Sequence, residues 1–116
     1  MKVLVTGGRE FADWILLHAS LKKLKVSSIG HGGARGADAM AGQYAEQGNI
    51  PVVVYPANWT EEGKRAGILR NIYMLKAYEP DIVVSFPGGK GTAHMTTLAK
   101  TGGYRVWQPA LDHDLD

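Results

Sequence analysis

Cysteine is absent from the 116 residues. That removes disulfides, thiolate nucleophiles and cysteine-ligated zinc, and it fits a reducing compartment. Long apolar runs are absent too, since no stretch approaches the roughly 20 residues of a membrane helix. The opening Met1-Lys2-Val3-Leu4-Val5 enters a strand pattern at once, leaving no room for a signal peptide. The expectation is a soluble, cytoplasmic protein with no membrane partner. Charge of one sign is scarce as well. Thirteen basic and 11 acidic residues leave a formal +2, too mild to indicate nucleic acid by itself. Metal-binding spacing is missing: His18, His31, His94 and His113 form no ligand pattern, and there is no H-E-x-x-H. No metal and no cofactor are expected, and no Ser-His-Asp set can be assigned from spacing.

What the chain does have is alternation. Val3–Val5, Val26–Ile29, Pro51–Tyr55, Ile82–Phe86 and Tyr104–Trp107 read as strands, each short and apolar and bounded by turn residues. Between them lie stripes at helical spacing. The first is Phe11, Trp14, Ile15, His18 and Leu21; the second is Ala37, Met40, Ala41, Tyr44 and Ala45. Ile68, Leu69, Ile72 and Leu75 form the third, and Met95, Leu98 and Ala99 the fourth. Four strand–helix alternations predict parallel strands joined by right-handed helical crossovers. The expected architecture is an α/β, Rossmann-like, doubly wound five-stranded parallel sheet of order 3-2-1-4-5, with helices on both faces. It would fill one domain over 1–108, followed by a frayed acidic tail over 109–116. In such a sheet ligands sit beyond the strands' carboxyl ends, at the switch point between strands one and four.

Glycine is the abundant residue, with 15 copies, most of them just after a strand. Strand one runs into Thr6-Gly7-Gly8-Arg9. Strand two runs into Gly30-His31-Gly32-Gly33-Ala34-Arg35-Gly36, and strand four into Pro87-Gly88-Gly89-Lys90-Gly91-Thr92. Each loop leads into a helix, whose first N–H groups are unpaired and carry partial positive charge. Glycine lets the backbone approach an anion without a Cβ, and each loop carries a cation: Arg9, Arg35 or Lys90. Three such loops on one sheet edge predict a single phosphate or carboxylate site. Tight turns also need glycine, so any one loop alone is more often structural than functional. No window matches the P-loop G-x-x-x-x-G-K-[ST], and Gly30-His31-Gly32-Gly33-Ala34-Arg35 breaks the dinucleotide G-x-G-x-x-G at its last position.

The segment Ala57-Asn58-Trp59-Thr60-Glu61-Glu62 introduces the third helix. Thr60 is its expected cap, with Glu61 and Glu62 in the first turn. Trp59 either stacks on a base or closes the apolar end of the helix. Arg70 falls off the apolar stripe, on a face shared with Asn71 and Met74, where a solvated arginine is the default. His31 and His94 sit in the loops, as site residues or as plain hydrogen-bonding groups.

Several segments carry a family resemblance together. They are Val5-Thr6-Gly7-Gly8-Arg9, His31-Gly32-Gly33-Ala34-Arg35-Gly36-Ala37-Asp38 and Pro56-Ala57-Asn58-Trp59. Ala66-Gly67, Arg70-Asn71, Asp81 and Phe86 to Thr92 complete the set. In combination they resemble the SLOG superfamily, which joins DprA/Smf DNA-processing proteins with the Lonely-Guy phosphoribohydrolases. The likeness is greatest to its small YspA/YpsA-related branch, common in bacteria and phages, over roughly 1–107. The resemblance implies a Rossmann-like fold and a nucleotide-derived ligand. Lonely-Guy enzymes cleave an N-glycosidic bond with Pro-Gly-Gly-x-Gly-Thr-x-x-Glu and Arg-Lys-x-x-Met. Here Met95 stands at the glutamate and Asn71 at the lysine. A carboxylate can stabilise an oxocarbenium-like state and methionine cannot. Asp38 is the nearest substitute, its plainer role being to anchor the second loop.

The function expected is therefore binding of a nucleotide or ADP-ribose-like small molecule, as a sensor or binding module. The alternatives are N-glycosidic hydrolysis and DprA-like single-stranded DNA binding, the latter disfavoured by the weak net charge. The expected ligand contacts are Thr6, Gly7, Gly8, Arg9, Gly32, Gly33, Arg35, Gly36, Asp38, Trp59, Arg70, Asn71, Pro87, Gly88, Gly89, Lys90, Gly91 and Thr92. Asp38, Arg70 and His94 are the candidate catalytic residues. Related proteins often dimerise, so a homodimer is an open expectation.

Overall fold

The computed structural model describes residues 1–112 and Asp114. In chain order the elements are β1 (Lys2–Thr6), α1 (Trp14–Lys22), β2 (Ser28–His31), α2 (Ala37–Gln47) and β3 (Val52–Val54). Then come α3 (Trp59–Glu62), a 3-10 turn over Gly63–Arg65, α4 (Ala66–Tyr78), β4 (Ile82–Ser85), α5 (Lys90–Thr101) and β5 (Val106–Trp107). All strand pairs are parallel, in the order β3-β2-β1-β4-β5. This is the doubly wound arrangement expected from the alternation.

Side chains alternate across a strand, so β1 supplies both layers of the core. Val3 and Val5 pack with Leu17, Leu21 and Ala41 of α1 and α2. Leu4, opposite in direction, packs with Met74, Leu75, Met95 and Ala99 of α4 and α5. Each of these β1 residues is wholly buried, a contribution of roughly 1.5–3 kcal/mol per large apolar side chain. The central strands β1 and β4 are apolar on both faces because helices cover both. The edge strand β3 is the exception, with Val52, Val53 and Val54 all exposed.

Local capping sets the helix starts. Asp13 caps α1, its carboxylate accepting from Leu16 N at 3.0 Å. The stripe expected for α2 holds, with Ala37, Ala41 and Ala45 fully buried. Asn58, rather than Thr60, caps α3, accepting from Glu61 N at 3.2 Å. The helix therefore starts two residues earlier than the Thr60 reading allows, and Trp59 becomes its first residue.

The third stripe is the main correction. Leu75 is buried, but the rest of the inner face of α4 is Ala66, Asn71, Met74 and Tyr78. Ile68 is 49% exposed, and Leu69 and Ile72 are half-buried. Helical spacing identifies a stripe without saying which stripe meets the core. Here Arg70 and Asn71 are held by neighbouring loops, and that turns the Ile68–Leu69–Ile72 side outward. Of the tail expected over 109–116, Pro109 is buried and Trp107 Nε1 donates to Asp112 O at 2.8 Å. His113, Leu115 and Asp116 lie outside the described residues. Among the described residues, no helix is long and apolar enough to cross a membrane.

Candidate functional site

The loops after β1, β2 and β4 meet at the sheet's carboxyl edge, beside the β1–β4 switch point. They are locked together through backbone. Gly8 N donates to Pro87 O at 2.9 Å, and Gly8 O accepts from Phe11 N and Ala37 N, each at 3.2 Å. A Cβ on Gly7 would strike Ala37 and Phe86, one on Gly8 would strike Gly88, and one on Gly36 would strike the Gly8–Arg9 backbone. Gly36 also holds a positive φ of 77° as the residue before α2. These glycines exist because three loops crowd into one place. Gly89 and Gly91 differ, since a Cβ on either would enter open space.

That open space is a cavity of about 540 Å³. Thr6, Gly7, Gly8 and Arg9 supply one wall, and Gly89, Lys90, Gly91, Thr92 and His94 another. Asp38, Trp59, Arg70 and Asn71 close the remaining side. Most of the residues expected at a ligand site thus come together. Gly32, Gly33 and Arg35 instead line an adjoining hollow of about 370 Å³ that shares Arg9, Ala34, Trp59 and Arg70 with the first. Pro87 and Gly88 face a third hollow lined also by Thr96, Gln108 and Leu111. Gly36 borders none of these three hollows.

Two helix starts reach the loops, and their N–H groups are used differently. In α2, Ala37 N is already donated to Gly8 O. In α5 the residue before the helix is Gly89, which offers no side-chain cap, and the first in-helix bond is Ala93 N to Gly89 O at 3.0 Å. The amides of Lys90, Gly91 and Thr92 therefore have no acceptor within the helix, and they border the cavity.

Cations surround it. Arg9, Lys64, Arg70 and Lys90 all line the cavity, against Asp38 as the one carboxylate in its wall. Arg35, expected among the ligand contacts, instead pairs with Glu10 at the surface, both side chains being largely solvated. Its place near the second loop is taken by Arg70. The guanidinium donates from Nη1 to Gly32 O at 2.6 Å and to Tyr55 O at 3.2 Å, and from Nε to Asn71 Oδ1 at 2.9 Å. Asn71 Nδ2 continues the chain to Gly91 O at 3.2 Å and His94 Nδ1 at 3.1 Å. One polar ladder on α4 thereby ties the second loop to the start of α5.

Asp38 is 6% exposed, and its Oδ2 accepts from Gly32 N at 3.1 Å and Ala34 N at 3.2 Å. Burial raises its pKa to about 6; the two amides and nearby Arg70 oppose that rise without cancelling it. The anchoring role read from sequence is thus what the carboxylate performs. His31 accepts from Gly33 N at Nδ1 at 3.0 Å, and burial, aided by Arg70, holds its pKa below the usual histidine value. Trp59 is 50% exposed, with the Arg9 guanidinium 5.5 Å above its ring. Its other neighbour is Gly67, where a Cβ would sit 3.3 Å from Trp59 Cη2. Met95 is fully buried in the core with Leu4 and Met74, so this position presents nothing to the cavity.

Sequence reasoning missed Ala34, Lys64, Gly67 and Ile68 in the wall. Lys64 had a signal, a cation shortly after Trp59 at the entry to a helix. Gly67 had another, a small residue about two helical turns beyond Trp59.

The family model described as "YAcAr: YspA, cpYpsA-related SLOG family" matches residues 1–61. The chain is also 37% identical over 117 residues to "Gene 61 protein" of Mycobacterium phage D29. That alignment covers 90% of this chain and 93% of the phage protein.

Proposed function

The chain belongs to the YspA, cpYpsA-related SLOG family, and from that premise we propose that it binds a nucleotide or ADP-ribose-like ligand, phosphate end inward, as a sensor or binding module. The observation that carries this is the start of α5: Lys90, Gly91 and Thr92, whose amides have no acceptor within the helix, line a cavity walled also by Arg9, Lys64 and Arg70. Amides at a helix start hold phosphate oxygens, and the surrounding cations neutralise them. Trp59, half-exposed in the cavity wall with the Arg9 guanidinium over its ring, is the residue assigned to a base. The volume of about 540 Å³ suits a ligand of nucleotide size.

Thermal unfolding against nucleoside mono- and diphosphates, ADP-ribose and cyclic dinucleotides tests the reading. A ligand at 100 times its Kd adds about 2.7 kcal/mol to a one-site fold. Arg9→Ala or Lys90→Ala is expected to remove most of that shift while leaving the ligand-free melt unchanged. Arg35→Ala is expected to cost less, because Arg35 stands at the surface with Glu10. A flat response across the panel contradicts the proposal.

A second reading, cleavage of the N-glycosidic bond, has one observation in its favour: Asp38 lines the cavity with a pKa near 6, the range of a working acid or base. Release of free base that disappears in Asp38→Asn supports it. A ligand that binds without release excludes it for that ligand.

A further inference from the structure

Asn71 is buried, and its side-chain amide meets three groups. Oδ1 accepts from Arg70 Nε at 2.9 Å, while Nδ2 lies 3.2 Å from Gly91 O and 3.1 Å from His94 Nδ1. The first two partners have no choice of role. A guanidinium N–H can only donate, and a backbone carbonyl can only accept. Turning the Asn71 amide over would set N–H against N–H at Arg70 and oxygen against oxygen at Gly91. The amide therefore has one orientation, and its Nδ2 points a proton at His94. An amide nitrogen does not accept, so Nδ1 of His94 must. A His94 ring turned over would instead set a C–H against that proton.

A neutral imidazole that accepts at one nitrogen carries its proton on the other. In His94 the other is Nε2. Among the described residues no group meets Nε2, yet no buried side-chain nitrogen lacks a partner. Nε2 therefore reaches open space, on a half-buried residue of the cavity wall. We propose that Asn71 is a positioning residue that fixes His94 as the Nε2–H tautomer, making it a neutral hydrogen-bond donor to a ligand oxygen. Arg70 and Gly91 set the amide, the amide sets the ring, and the ring sets which ligand atom it accepts. His94 thereby joins Arg9, Lys90 and the amides at the start of α5, all of which seek acceptors. With its proton already on Nε2, this ring cannot take another there from water or a hydroxyl. Any base in the wall would be Asp38, its one carboxylate. The ligand contact rests on the reading proposed above, whereas the tautomer belongs to the chain alone.

Long-range proton–nitrogen NMR correlations of the imidazole rings test the tautomer in the ligand-free full chain, at about pH 8, above the ordinary histidine range. The His94 signals are identified by their loss in His94→Gln. The expected pattern is an unprotonated Nδ1 and a protonated Nε2. Asn71→Asp offers His94 an acceptor in place of a donor. Its Nδ1 is then expected to gain a proton, the unprotonated signal moving to Nε2 or vanishing. If that variant does not fold, Asn71→Ala removes the donor and is expected to give a mixture of the two tautomers. A wild-type His94 protonated at Nδ1, or averaged between tautomers, overturns the proposal, as does a tautomer that neither change moves. The contact is read separately as the Kd for ADP-ribose. His94→Leu is expected to raise it about tenfold or more, and His94→Gln, which keeps an N–H close to the place of Nε2, to restore most of that loss. Equal losses in the two variants overturn the donor role. A wild-type chain that binds no ADP-ribose overturns the contact for that ligand together with the ligand reading, while the tautomer stands or falls on the spectra.

Discussion

Asp38 shows how a single buried group can govern the second loop. Its carboxylate is nearly out of water, yet two loop amides depend on it. With a folded-state pKa of about 6 against 3.8 for the free side chain, the folded chain holds this proton more tightly than the unfolded chain. Stability from this group is greatest below pH 4 and is lost as pH rises through about 6. The loss is on the order of 3 kcal/mol, at 1.36 kcal/mol per unit. Asp38→Asn keeps an acceptor for the amides and removes the proton. Unfolding curves from pH 4 to 7 are expected to show wild type falling relative to the variant as pH rises. A difference that stays flat contradicts the burial account. His31 works in the other direction, its lowered pKa giving stability that is lost as pH falls below its unfolded value near 6.5, but it is present in both chains and cancels. Most of the site's residue types were legible because loop glycines and their cations follow strands in the sequence. The exchange of Arg35 for Arg70 was not. It depends on Glu10 capturing Arg35 and on the Gly32 and Tyr55 carbonyls capturing Arg70, partners 25, 38 and 15 residues away in turn.

Among the elements, α5 separates the two uses of glycine. Gly88 is enclosed by Thr92 Oγ1 and the Gly8 backbone, whereas Gly91 faces only the cavity. Gly91→Ala is expected to stabilise the ligand-free fold by about 0.5–1 kcal/mol, because glycine within a helix costs that much backbone entropy. The same methyl group is expected to weaken ligand binding by intruding beside the free amides. Gly88→Ala is expected to destabilise the fold outright, the clash being with backbone that cannot yield. Chemical denaturation of both variants, with and without ligand, measures this separation; equal behaviour contradicts it. The helices themselves were legible from spacing, as α2 shows residue by residue. The orientation of α4 was not, because it carries two apolar stripes and spacing ranks neither. The polar ladder from Arg70 through Asn71 to Gly91 and His94 makes the choice.

For the whole molecule, strand–helix alternation and the handedness of crossovers were enough to give parallel strands with helices on both faces, whereas the order 3-2-1-4-5, which the structure shows, comes from the fold class because no local pattern fixes it. What no local pattern carried was the crowding of the glycine loops, in which the first α2 amide, Ala37 N, is donated to Gly8 O while the amides of Lys90, Gly91 and Thr92 have no acceptor within α5. The central claim is that this free helix start is a phosphate site. Amide chemical-shift mapping by NMR, with ADP-ribose and adenosine monophosphate titrated into the 12.6 kDa chain, tests it most directly. The account predicts saturable shifts at Gly8, Arg9 and the amides of Lys90, Gly91 and Thr92, with the Trp59 indole moving in step. Shifts confined to other surfaces, or none with either ligand, would contradict it.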